Sequence, residues 1–220
     1  MNMWRTFLFI PVLEEKFIAK AANCGADAVV LDLEASVDPA RKTEAREALP
    51  GAVSRLAADV DVTVRINALW SQAFRDLEAS VIEGVSAIHL PLCETAAQVR
   101  AVDAMIGELE EERGLPAGNI RLVSMLESAT AVLKAREIAR ASPRLVAMTV
   151  GVEDYATSMG VSATPDVLKP AVQQVNQAAR AASVASFAVP ASMSDFRDID
   201  GLRAAATYAR AIGSTGGYTV

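Results

Sequence analysis

GADAVVLDLE, residues 25–34, is the stretch that decides the fold. Its centre is apolar without interruption, which is how a strand reads when helices cover both faces of a parallel sheet. The acids Asp32 and Glu34 come only at its end. Gly25 lies just past a helical stretch at residues 14–23, and Pro39 opens another at 39–58, where a first helical turn tolerates proline. The stretch is therefore one strand of a repeating β/α unit.

The same alternation extends in both directions. Short β-rich runs fall at residues 6–12, 28–34, 62–67, 87–91, 120–127, 145–151, 186–190 and 217–220. Helical stretches fill 14–23, 39–58, 73–83, 95–113, 129–141, 165–183 and 200–212. Eight strands with seven intervening helices, and no composition break long enough for a linker, predict a single domain over residues 1–220, an α/β chain folded as a (β/α)₈ TIM-type barrel. A doubly wound open sheet is the second choice, lowered by the absence of phosphate-loop and dinucleotide glycine patterns. The eighth strand is expected to lack its following helix and the C-terminal tail after it.

At 220 residues the chain can bury a large core. Hydrophobic residues make up 52% but aromatic ones only 5%, so that core must be built from Ala, Val, Leu and Ile. A formal charge of −6 argues against a nucleic-acid partner, which needs clustered Lys and Arg. No run of 18 uncharged apolar residues occurs, and the N-terminal apolar stretch lacks the marks of a signal peptide, so neither a membrane nor secretion is expected and the location is expected to be cytoplasmic. Cys24 and Cys93 show no metal-ligand spacing and read as small core residues.

In a parallel barrel the chemistry gathers at the carboxyl ends of the strands. Asp32 and Glu34 end the second strand, Arg65 and Asn67 the third, Glu127 the fifth, and Asp154 follows the sixth. Glu127 and Asp154 come from neighbouring strands and can converge on one hard cation; Mg²⁺ suits them, because it often takes only one or two protein carboxylates and keeps positions for water and substrate. The competing reading makes Glu127 and Asp154 residues of helix starts. Arg65 offers a planar fork matched to a carboxylate, against the plainer alternative of an ion pair with Asp32 or Glu34. His89, the single histidine, reads as a satisfied core residue. No Ser/His/Asp or Cys/His nucleophile can be assembled.

At these residues the chain resembles the citrate lyase beta-subunit-like branch of the HpcH/HpaI aldolase/citrate lyase group. The resemblance is carried by RTFLFIP (5–11), GADAVVLDLE (25–34), VRIN (64–67), MLES (125–128), GVEDYA (151–156) and DFRDIDGLRAAA (195–206). It implies a barrel, Mg²⁺ on Glu127 and Asp154, Arg65 contacting a small carboxylic acid, and assembly as a homo-oligomer, trimer or hexamer. Asp32, Glu34 and Arg65 are then the candidate catalytic residues, with Arg65 and Asn67 binding substrate. The implied reaction is a Mg²⁺-dependent carbon–carbon cleavage or condensation of a small hydroxy or oxo acid, as an acyl-CoA thioester. The sequence departs from the family pattern where Ala35 replaces a second acid, where Leu92 rather than Lys follows Pro91, and where the first loop, PVLEEKF, is short and acidic. Two alternatives stay open: an aldolase of pyruvate or oxaloacetate type without CoA, and a catalytically weakened homologue that binds metal and acid as a subunit.

Overall fold

The computed structural model describes residues 4–192 and 197–219. Part of the DFRDIDGLRAAA motif (Asp195 and Phe196) and the last residue of the expected eighth strand (Val220) lie outside the described residues. The chain gathers into two compact units. Of the described residues, one unit comprises 4–90, 101–122 and 218–219; the other comprises 91–100, 123–192 and 197–217.

In the first unit the strands β1 (Thr6–Pro11), β2 (Ala28–Asp32), β3 (Asp61–Arg65) and β4 (Val85–Leu90) pair in parallel, each with the next, and β8 (Gly217–Thr219) lies beside β1. Every residue of β2 is buried, as an apolar run covered on both faces requires. The register sets Asp32 opposite Arg65 at the strand ends. Between these strands run α1 (Glu15–Ala21), a 3₁₀ turn at Pro39–Arg41 that leads into α2 (Lys42–Leu56), and α3 (Trp70–Ser80). Leu49, Leu56 and Leu77 on α2 and α3 are fully buried, or nearly so, with the strand residues Val29, Leu31, Val62 and Val64. Gly84, in the left-handed region at φ 92°, lets the chain turn into β4 close against α2; an added Cβ would lie 3.0 Å from Val53 Cγ1.

In the second unit β5 (Arg121–Leu126), whose first two residues belong to the other unit, is followed by β6 (Leu145–Val150) and the two-residue β7 (Ala185–Ser186), which pairs in parallel with β6. Helix α4 (Ala96–Glu112) precedes β5, with residues 96–100 in this unit and 101–112 in the other. The single helix expected over 129–141 is two, α5 (Ala129–Leu133) and α6 (Ala135–Ile138), because the backbone leaves helical geometry at Lys134 (φ −95°, ψ 7°). A helix not anticipated as a separate element, α7 (Val152–Ser158), follows β6 directly, ahead of α8 (Pro165–Ala181) and α9 (Ile199–Ala211). Cys93 is buried as expected, and burial pushes its thiol up to about 11. Cys24 is exposed, in the turn that Gly25 closes after α1, so its reading as a core residue is corrected. No helix among the described residues is long and apolar enough to cross a membrane.

His89 fixes the closing strand of the first unit. Thr63 Oγ1 donates its one hydrogen to the Val29 carbonyl at 2.7 Å, so it must accept from His89 Nε2 at 3.0 Å. That assigns the hydrogen to Nε2 and leaves Nδ1 to accept from the Tyr218 hydroxyl at 3.2 Å. Tyr218 also stacks on Phe7 and Phe9. Complete burial, reinforced by the nearby Arg65 charge, pushes the imidazole down to about 3.

A histidine held neutral in the fold stabilises it fully above the unfolded value near 6.5 and progressively less as pH falls toward 3. The His89 imidazole resonance is therefore expected to stay flat from pH 8 to 5. Below pH 6.5 its contribution to stability should decline by about 1.4 kcal/mol per pH unit. A titration midpoint near 6.5 in the folded protein, followed by NMR, would contradict this.

Candidate active site

At the end of β3 the Arg65 guanidinium grips Asp32 bidentately, Nε to Oδ1 and Nη2 to Oδ2, both at 2.7 Å, and places Nη1 3.1 Å from Glu34 Oε2. Its planar face lies 4.7 Å from the Phe9 ring centroid. Asp32 also accepts from the backbone amides of Glu34 and Ser36, each at 2.9 Å. Burial pushes the Asp32 carboxyl up, but Arg65, the Glu34 amide and Ser36 outweigh it and hold it below the usual carboxylate range. A carboxylate kept ionised in this way orients the guanidinium rather than collecting protons. The ion pair that the sequence offered as the plainer alternative for Arg65 is thus formed.

Asn67, two residues on, gives its backbone N–H (2.7 Å) and Nδ2 (2.6 Å) to Asp76, and Nδ2 also to the Leu33 carbonyl at 2.9 Å. Both amide donors serve the fold, so any contact of Asn67 with a ligand falls to its carbonyl oxygen. Asp76 on α3 is completely buried and pairs with Arg46 Nε at 2.6 Å. Lys42 donates to the carbonyls of Leu33 at 2.7 Å and Glu34 at 2.6 Å. Burial pushes its amine down, against the pull of Asp32, Asp76 and Glu34.

In the second unit Glu127 is buried at the end of β5, and its Oε2 accepts from the Leu92 backbone N–H at 2.5 Å. Leu92 stands in the left-handed region at φ 44°, a conformation a leucine takes only under constraint from its surroundings. The adjacent Cys93 N–H donates to the Met125 carbonyl at 3.1 Å. On its other side Glu127 lies over Gly151, where an added Cβ would collide with Oε1 and Cγ. Gly151 is brought there because its N–H donates to the Leu126 carbonyl at 3.1 Å, and it is also the residue that starts α7. Asp154 therefore occupies the first turn of the helix on whose leading residue Glu127 rests. It is exposed, with no hydrogen bond or ion pair among the described residues, whereas its neighbour Glu153 accepts from Ser192 Oγ. Ser128 caps α5 and donates to Glu94.

The sequence reading named Arg65, Asp32, Glu34, Asn67, Glu127 and Asp154. It missed Lys42, Arg46, Asp76, the Leu92 amide and Gly151. Asp76 carried a signal, as an acid on the buried face of α3 with Ala73, Leu77 and Ser80. Gly151 carried another, since a glycine ending an apolar strand marks a close approach. The Leu92 amide left none, because a backbone donor has no signature in residue type.

A family model described as HpcH/HpaI aldolase/citrate lyase matches residues 5–220. The chain belongs to this family. The citrate lyase subunit beta of Leuconostoc mesenteroides subsp. cremoris is 35% identical over 187 residues, which are 83% of this chain and 62% of that protein. The L-malyl-CoA/beta-methylmalyl-CoA lyase of Rhodobacter capsulatus is 36% identical over 165 residues, 73% of this chain and 52% of that one. The chain thus spans less than two thirds of the length of these relatives. Among solved structures, the citrate lyase beta subunit from M. tuberculosis complexed with oxaloacetate and magnesium superposes with a TM-score of 0.78 and 29% identity, covering 100% of this chain and 92% of that one. The fold expected from the β/α alternation, the TIM-type barrel, is accordingly that of the HpcH/HpaI members it resembles.

For this HpcH/HpaI chain, Gly151→Ala tests the Glu127 geometry without altering a charge. The added methyl should displace the Glu127 carboxyl from the Leu92 amide and lower stability by about 1–3 kcal/mol, as overpacking does. A crystal structure of the variant with Glu127 unmoved would refute the packing described.

Proposed function

We propose that this HpcH/HpaI chain is a Mg²⁺-dependent carbon–carbon lyase, cleaving or forming a small hydroxy or oxo acid as its CoA thioester. The observation that carries the reading is Glu127, clamped between the Leu92 amide and Gly151, with Asp154, exposed and unpaired among the described residues, one turn into the helix that Gly151 begins. Among the described residues no group of three or more His, Cys, Asp or Glu converges as a metal cage. Two carboxylates with water and substrate oxygens completing the set is the donor chemistry that Mg²⁺ accepts, so the residues present fit the ion. The similar M. tuberculosis structure holds magnesium and oxaloacetate, and the similar Rhodobacter capsulatus protein is a CoA-ester lyase, which supports the substrate class.

In this reading Glu127 and Asp154 hold the ion. When bound, Mg²⁺ supplies Lewis-acid polarisation of the oxo or hydroxy oxygen of the acid. Arg65 binds the carboxylate, with Asn67 beside it, and balances the negative charge that develops as the bond breaks. Asp32 and Glu34 hold the guanidinium fork in one plane, which a carboxylate partner requires. A homo-oligomer in the cytoplasm, trimeric or hexameric, belongs to the same proposal.

A second reading, an aldolase acting on free oxo acids, draws on Leu92, whose exposed side chain offers no cation; Glu14 and Glu15, which follow the first strand, are paired with Lys16 and Arg55 and do not weigh on the choice. Incubation with Mg²⁺ and citryl-, malyl- or citramalyl-CoA, beside oxaloacetate and 4-hydroxy-2-oxo acids, separates the two. Cleavage of thioesters alone is the expected result. Cleavage of free acids selects the aldolase, and binding without turnover selects a weakened homologue acting as a subunit. Glu127→Ala should abolish Mg²⁺ binding in calorimetry, and unchanged affinity would remove the site. Arg65→Lys should weaken oxaloacetate binding, because a point charge does not reproduce the bidentate fork.

A further inference from the structure

Just past β2 and β3, Leu33 and Ile66 each keep one backbone bond to the neighbouring strand, to the Arg65 and His89 carbonyls at 3.0 and 3.3 Å, and residues 33, 34 and 67 are in addition tied down by side chains from two helices. Lys42 at the start of α2 takes the carbonyls of Leu33 and Glu34, at 2.7 and 2.6 Å. Asp76 on α3 takes both the backbone N–H and Nδ2 of Asn67, at 2.7 and 2.6 Å, and Nδ2 reaches across to the Leu33 carbonyl at 2.9 Å. The Leu33 N–H donates in turn to the Arg65 carbonyl at 3.0 Å. These bonds fix Asn67, two residues after Arg65, and Leu33 and Glu34, which follow Asp32, the residue opposite Arg65 in the register.

We propose that Asp76 and Lys42 are positioning residues for Arg65, fixing the two strand ends so that its guanidinium keeps one orientation toward the acid. The proposal rests on the reading above that Arg65 contacts the acid. Docking of α2 on α3 does not explain the arrangement. The helices already bury Leu49, Leu56, Ala73 and Leu77, and the buried Arg46–Asp76 pair carries a desolvation cost that an apolar contact avoids. What the polar network adds is directional, since each bond ends on a loop atom within two residues of Arg65, Asp32 or Glu34. A guanidinium displaced by about 1 Å forfeits on the order of a hundredfold in a positioned reaction.

The test compares Asp76→Leu and Lys42→Met with Arg46→Met, which breaks the same buried ion pair but leaves Asp76 on Asn67. Oxaloacetate affinity in the presence of Mg²⁺ should fall at least about tenfold in the first two and less in the third, with Mg²⁺ affinity unchanged in all. Losses that merely follow the drop in melting temperature, equal across the three, would overturn the proposal. A second readout is independent of any ligand: hydrogen exchange at Arg65 Nε–H, followed by NMR, should be at least about tenfold faster in Asp76→Leu and in Lys42→Met. Unchanged exchange in both variants would also overturn it. Lys42 is only half-buried, so its variant gives the answer even where Asp76→Leu does not fold. Failure of the wild-type chain to bind oxaloacetate would count against the proposed function, while the exchange rates would still decide the positioning role.

Discussion

A strand buried on both faces has no place for charge except its end, and that constraint governs this chain. All five residues of β2 are buried, and its acid comes last. Once charge is confined to strand ends, every group there must find a partner within reach or remain exposed to water. Arg65, Asp32 and Glu34 solve this by pairing with one another. Asp154 solves it by exposure.

The two candidate clusters use different means of fixing a side chain. In the first unit Arg65 is held by opposite charge, through two carboxylates and an aromatic face. In the second, Glu127 is held by shape and a backbone donor: Gly151 supplies the room, and Leu92 supplies an N–H from a backbone conformation that leucine seldom takes. The side chain at position 92 is therefore irrelevant to this contact. Leucine at this position leaves Glu127 oriented.

His89 shows why a lone polar residue in an apolar strand carries little functional weight by itself. Its two ring nitrogens are both occupied, by Thr63 and Tyr218, and burial keeps it neutral. The satisfied network holds β8 in place. The partner Tyr218 lies 129 residues along the chain from His89, and the hydrogen bond between them could not be inferred from either residue alone.

By itself the sequence determined the β/α alternation, the family, and which strand ends carry acids and an arginine, because periodicity and residue type are local properties written directly in the chain. It also offered a carboxylate partner for Arg65, as the alternative to an acid ligand, since Asp32 and Glu34 end the strand before it. Only the tertiary structure decided that Asp76 and Arg46, 30 residues apart, meet in the core, and that the amide of Leu92 turns to Glu127, 35 residues on. It alone showed that Gly151 makes room for that carboxyl, and that the helix expected over 129–141 breaks at Lys134. These depend on where backbone atoms come together after the strands have paired, and a backbone donor or a missing Cβ looks the same in the sequence wherever the fold brings it.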